Sequence, residues 1–200
     1  MSLLKSRLQH YAMKNSLFAG DRTALVAVTQ GRVLEICFDI AKNLHYYSPW
    51  VTSLSVVCLD GAPSASEHDA NDRGLAVERI FLGNDAVKLP FEDRTFDWVV
   101  TTLTLCRMKH PEAILAEVRR ALKPTGAYVF LEHGRSPDPS MRRRQSRLRN
   151  LWLEVGGCDI DRDIEELIRA ADLRLEKFER YQLGWPKFLS TMCRGLARLR

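Results

Sequence analysis

Several side chains in this sequence of 200 residues stand where chemistry is usually done, at the ends of apolar runs. Glu35 follows "GRVL" and Asp60 closes "SLSVVCLD". Cys106 closes "FDWVVTTLTLC", and "AYVFLEH" ends on Glu132 and His133. In an α/β unit, a carboxylate about 20 residues beyond the turn after the first strand hydrogen-bonds a ribose diol. Asp60 lies 25 positions beyond Glu35; its other reading is the first residue of the turn "DGAP". A histidine at a strand end is either a general base or a hydrogen-bonded structural residue. Cys106 either lines a substrate wall or packs as a small hydrophobe.

These residues need a scaffold that gathers strand ends, and the hydrophobic pattern supplies one. Strands are expected over 32–36, 53–60, 77–83, 96–105 and 127–133, with near-continuous apolar runs in the second and fourth. A short helical stretch after the first strand ends near Tyr47, where Pro49 stops it. Pro111 opens a helix with Ile114, Leu115, Val118 and Leu122 on one face, and "KPTG" closes it. A further helix is expected over about 161–171, then an alternating strand over 173–183. A last strand, "TMCRGLARLR", is placed at the sheet edge and joined to it by a loop containing Pro186. Residues 3–18 read as an amphipathic helix, packed on the domain or lying on a partner or membrane surface. Residues 21–31 read as a connection or second helix. The whole reads as one domain: a helical segment over 1–30 ahead of an α/β unit over 31–200. Its sheet is parallel and covered on both faces, with an antiparallel hairpin at the end. Ligands of such sheets sit outside the carboxyl ends of the strands, where the strand order reverses.

Composition narrows the class. With 46% hydrophobic and 28% charged residues the chain is a folded, water-soluble type. No apolar run reaches bilayer length and the first residues lack a signal-peptide pattern, so a cytoplasmic location is expected. The five cysteines are odd in number and widely spaced, which supports neither a disulfide framework nor a zinc motif. No metal is assigned. The net charge of +5 owes much to Arg142, Arg143, Arg144, Arg147 and Arg149. They form a patch for an anionic membrane surface or nucleic acid, or the solvated face of one basic helix. The absence of interleaved aromatics favours the solvated face.

The most specific stretch is "GNDAVKLPFEDRTFDWVV". It resembles the segment of class I S-adenosylmethionine-dependent methyltransferases in which D-A-x-x-L-P-F precedes an F-D-x-V strand. Asp85, Ala86, Leu89, Pro90, Phe91, Phe96 and Asp97 match it. The likeness runs on through "TLTLCRMKHPEAILAEVRRALKPTGAYVFLEHGRSPDP" and "GGCDIDRD" into the C-terminal hairpin. From Gly31 onward the chain is similar to the type 11 small-molecule branch. The L-C after the fourth strand, the E-H after the fifth and the later G-G-C point to the thiol-methyltransferase-like members more than to the quinone-biosynthesis enzymes.

The resemblance implies a Rossmann-like, seven-stranded methyltransferase fold with S-adenosylmethionine as cofactor. Glu35 matches the acid ending strand 1, and Asp60 the acid on the ribose. Asp85 and Ala86 match the pair on the adenine edge, and Thr102 to Cys106 the floor under the methionine part. The family's E-x-G-x-G-x-G loop falls on 35–41, where Cys37, Asp39 and Ala41 replace every glycine. Those glycines let the backbone approach the cofactor closely, and Asp39 adds bulk and negative charge there. Residues 61–74, where the family carries an amphipathic helix, have no large apolar side chain but Leu75 just beyond them, so a mobile loop is expected. Methyl transfer needs a base only where the acceptor must lose a proton. His133 is the candidate base, Cys106 the candidate acceptor wall, Tyr46 and Tyr47 candidate pocket walls, and His110 serves the turn before Pro111. Three functions compete: a methyltransferase for an apolar or thiol acceptor; a silent relative acting as a binding or regulatory partner, with a protein partner or as a homodimer; and, third, an anionic-surface binder using Arg142–Arg149 and the N-terminal helix.

Overall fold

The computed structural model describes residues 15–38, 43–59, 75–83, 87–184 and 186–200. A helix α1 (Asn15–Val26) precedes strand β1 (Gly31–Cys37). A single 3-10 turn (Leu44–Tyr46) leads to β2 (Val51–Cys58), and β3 (Val77–Phe81) and β4 (Phe96–Thr102) follow. Next come α2 (Pro111–Ala121), β5 (Leu122–His133), α3 (Pro139–Val155), α4 (Ile164–Ala170), β6 (Leu173–Gln182) and β7 (Thr191–Leu199). The sheet has seven strands in the order β3-β2-β1-β4-β5-β7-β6. The first five are mutually parallel, and β7 runs antiparallel to both neighbours. This is the expected α/β methyltransferase-type sheet.

Strand alternation divides the core between two faces. Leu34, Ile36, Val57, Val99, Tyr128 and Phe130 share one apolar cluster with Ile114, Leu115 and Val118 of α2 and Ile164 and Ile168 of α4. Val33, Val56, Val100 and Val129 share the other with Val26 of α1. Both faces are thus dry, which is why β1 from Val33 to Cys37 reads as an apolar run broken only by Glu35. The α2 helix forms where Pro111 presets its first turn and Ile114, Leu115, Val118 and Ala121 fall on one buried face. Glu112 in its first turn and Arg119 and Arg120 in its last suit the helix dipole.

Three sequence boundaries move. The C-terminal strand is not at the edge; it lies between β5 and β6, and β6 is the edge. The reason is in the burial: β7 is largely buried, whereas β6 alternates between half-buried and exposed after its first residue. Gly195 lets β7 fit there, since a Cβ would meet the Lys177 carbonyl and stand 2.6 Å from Phe130 Cζ. The "KPTG" stretch does not form a loop after α2. It lies within β5 as an irregularity, with pairing to β4 resuming at Trp98 and Ala127. Finally, β4 stops at Thr102 because Leu103 turns to a φ of 53°. The basic stretch forms α3 as one helix, capped by the Asp138 side chain on the Met141 N–H. Residues 3–14 of the expected N-terminal helix, and the loop expected over 61–74, lie outside the described residues. Among the described residues no helix is long and apolar enough to cross a membrane.

Candidate active site

The chain steps outward from β1 through β2 to β3, then returns to lay β4 on the other side of β1. The switch point therefore lies between β1 and β4, and a ligand crevice opens outside their carboxyl ends. Ile36 pairs with Thr101 at that end, so Glu35 and Thr102 come to one mouth.

Glu35 is fully buried. A carboxylate there is tolerable only if its oxygens are satisfied. Asn43 Nδ2 donates to Oε1 and the Tyr47 hydroxyl to Oε2, each at 2.7 Å. The same amide nitrogen donates to Thr102 Oγ1 at 2.9 Å. From α1, Arg22 Nη1 donates to Asn43 Oδ1 at 2.5 Å and to Thr102 Oγ1 at 3.3 Å. Burial, reinforced by Glu35, pushes the Tyr47 phenol well above its usual value, which keeps it a donor. All five side chains are buried. Sequence reasoning named Glu35, Thr102 and Tyr47 but not Arg22 or Asn43. Arg22 had a signal: it stands one helical turn from both Phe18 and Val26, two buried residues of α1. Asn43 had none.

Cys37 ends β1 with its side chain in the apolar cluster of Val33, Val56 and Cys58. The first glycine replacement is thus a core thiol. Asp39, Ala41, Asp60, Asp85 and Ala86 lie outside the described residues. The segment that follows Asp85 and Ala86 is held firmly by α2. Leu89 N–H donates to Glu117 Oε2 at 2.7 Å. Arg120 donates to the Phe91 carbonyl at 2.7 Å, to the Leu89 carbonyl at 3.1 Å and to Asp93 at 2.8 Å. Phe91 packs edge-on against Phe96 with ring centroids 4.9 Å apart. Asp97 of the F-D pair is structural: its carboxylate accepts the Arg32 N–H at 2.9 Å and the Lys123 ammonium at 2.7 Å, tying β1 to β4.

The Glu117–Arg120 pair gives a pH-dependent prediction. Hydrogen bonding from Arg120 outweighs burial and holds the Glu117 carboxyl below its ordinary 4.5. A depressed folded value means that the carboxylate's contribution is complete above about pH 4.5 and is lost as pH falls through the folded value. The stability gap between the native chain and Glu117→Gln is therefore expected to be flat near neutrality and to shrink on acidification. Urea unfolding at stepped pH measures it; a gap that widens in acid would refute the assignment.

His133 and Cys106 meet at the carboxyl ends of β5 and β4. Cys106 Sγ lies 3.7 Å from His133 Nδ1, and Phe18 stands edge-on to the imidazole at 6.3 Å. Burial, with hydrogen bonding to Cys158, raises the Cys106 thiol well above its usual value. The turn carrying Cys106 is organised by Glu132, whose carboxylate accepts the N–H groups of Thr104 at 3.1 Å and Cys106 at 3.2 Å. His110 sits just before α2, as expected, and Tyr46 packs partly buried against the Val33 cluster. Of the five arginines on α3, Arg149 is committed to Asp159 at 2.7 Å, while Arg142, Arg143, Arg144 and Arg147 are exposed.

Comparison with known proteins places this geometry. Residues 38–130 match the model of a methyltransferase domain. The chain is 29% identical over 178 residues to thiol S-methyltransferase TMT1B of Rattus norvegicus, covering 86% of this chain and 70% of that protein. It is 30% identical over 165 residues to thiol S-methyltransferase TMT1B of Homo sapiens, covering 80% of this chain and 66% of that one. The chain thus spans about two thirds of the length of these relatives. In fold it superposes on the [4+2]-cyclase SpnF with a TM-score of 0.69 at 17% identity, covering 91% of this chain and 79% of that one.

The residues present fit the cofactor of this family, S-adenosylmethionine. Behind the switch point stand a buried acid, Glu35, whose oxygens Asn43 and Tyr47 hold, and a hydroxyl, Thr102, and Cys37 takes its side chain into the core. The cofactor supplies a methyl group on a sulfonium; the chain supplies position and a dry setting for an in-line displacement. From the matched domain, the long relatives and the sheet order, the chain belongs to the class I S-adenosylmethionine-dependent methyltransferases.

Proposed function

We propose that this methyltransferase transfers the methyl group of S-adenosylmethionine to a small thiol. The observation that carries the reading is the similarity to thiol S-methyltransferases over more than three quarters of the chain. The acceptor end supports it. Phe18, Leu103, Leu131 and Met192 make an apolar cluster there, suited to a thiol with an apolar body. A neutral thiol is a weak nucleophile, so the acceptor must lose its proton. His133 is the group we assign to that proton, with Cys106 beside it as acceptor wall. Glu35 and Thr102 are assigned to the cofactor's amino-acid end; Asp39, Asp60, Asp85 and Ala86 complete the assignment by sequence. The five free, buried cysteines support a reducing, cytoplasmic setting.

The experiment supplies S-adenosylmethionine and a small alkyl thiol and follows S-adenosylhomocysteine and the S-methyl product. His133→Gln is expected to lower turnover about 10²–10⁴-fold while cofactor affinity stays unchanged. Cofactor binding without methylation of any thiol would overturn the acceptor; calorimetry showing no cofactor binding at millimolar ligand would overturn the activity.

A further inference from the structure

One cluster of soft donor atoms joins Cys106 and His133, assigned above to the acceptor, to a third residue, Cys158, that the proposed reaction does not use. Cys106, His133 and Cys158 each offer one ligand atom, and the three atoms lie within 4.8 Å of one another. All three residues are buried. They come from the turn after β4, the end of β5 and the loop after α3, 27 and 25 positions apart. That spacing is why no zinc motif is visible in the sequence, and only the fold unites them.

Two features separate this trio from cysteines that are merely buried. The first is geometry. Zinc takes sulfur at about 2.3 Å and nitrogen at about 2.0–2.1 Å, so tetrahedral bonding sets sulfur and nitrogen ligands about 3.6 Å apart. The Cys106 Sγ to His133 Nδ1 distance is 3.7 Å. The second is that the three segments are tied together without using the thiols or the imidazole. Asp159, next to Cys158, donates its N–H to the Cys106 carbonyl at 2.6 Å, and the Arg135 N–H reaches the Arg162 carbonyl at 2.9 Å. The Arg162 guanidinium binds the carbonyls of Leu105 and Met108. Glu132 holds the Cys106 N–H from the other side. Donors fixed by their own backbone links before a cation arrives make a preorganised site.

We infer that Cys106, His133 and Cys158 bind one zinc ion. Two soft thiolates and one imidazole suit zinc and not the hard cations magnesium or calcium. Binding exchanges the two thiol protons for two zinc–sulfur bonds, and the protons pass to solvent. Three protein ligands leave one tetrahedral position for an outside ligand. If the acceptor is a thiol, as proposed above, it takes that position as the thiolate, its proton passing to solvent, and His133 then holds zinc in place of serving as the base.

The test is metal analysis of the full chain, produced with zinc in the medium and purified without chelator. About one zinc per chain is expected, together with a thiolate-to-cobalt charge-transfer band when cobalt replaces zinc. Cys158→Ser and His133→Gln are expected to lose the metal, and Cys193→Ser, a buried thiol outside the trio, to keep it. A folded wild-type chain that takes up no zinc, or in which Cys106 and Cys158 are recovered as a disulfide, overturns the inference. Calorimetry with S-adenosylhomocysteine on the same sample keeps the two readings apart. Cofactor binding without zinc sinks the metal site alone, and zinc without cofactor binding sinks the transferase reading alone.

Discussion

Replacing Asn43 by leucine is expected to lower the free energy of unfolding by about 3–5 kcal/mol and to weaken cofactor binding at least about tenfold. The side chains share heavy-atom count and branching, so the main change is loss of the polar bonds. Asn43 donates to Glu35 and Thr102 and accepts from Arg22, at a point where all four residues are buried. Leucine removes one donor from a buried carboxylate and one acceptor from a buried guanidinium at once. Losing a partner of a buried charge costs far more than losing an exposed hydrogen bond. A domain stable by 5–15 kcal/mol, by general experience, loses a large part of its margin this way. Binding is expected to suffer because Glu35 and Thr102, the residues proposed for the cofactor, are positioned by the same amide. Urea unfolding and calorimetry with S-adenosylhomocysteine measure the two effects. A loss of stability below about 1 kcal/mol would mean that the network is ornamental.

The second large effect is expected at Glu132, where leucine costs about 2–6 kcal/mol by leaving two buried N–H groups, those of Thr104 and Cys106, without their acceptor. The turn they belong to has little slack. Leu103 is held at a φ of 53°, a left-handed conformation that a branched side chain adopts only when its surroundings impose it. Without the carboxylate the turn relaxes, and Cys106 moves away from His133. Methyl transfer is therefore expected to fall with stability. The variant's turnover, measured at a temperature where circular dichroism shows it folded, separates the two. Full activity in a folded Glu132→Leu chain would show that the turn does not position the acceptor end.

How much of this was legible beforehand differs from residue to residue. Alternation and continuous apolar runs announced every strand core, because a buried strand must be apolar wherever both faces are covered. Strand ends were less exact: the reversal at Leu103 comes from Glu132, which is 29 positions away in sequence. The place of β7 was misread for a related reason. An edge and an interior strand differ in what packs against them, and "TMCRGLARLR" alone does not show that Phe130 and the Lys177 carbonyl press on Gly195.

The sequence by itself determined the family and the nature of the fold. The D-A-x-x-L-P-F segment, the F-D pair and the strand-end acids are local patterns, and local patterns survive in one dimension. It also marked Glu35, Thr102, Cys106 and His133 as candidates for the site. Only the tertiary structure decided what those residues touch. Asn43 and Tyr47, from the two ends of the 3-10 turn, converge on Glu35 while Arg22 of α1 holds Asn43, and Cys158 joins Cys106 and His133 from a loop beyond α3. Such meetings depend on strand order and helix placement, which arise from burial of the whole sheet, so no spacing along the chain encodes them.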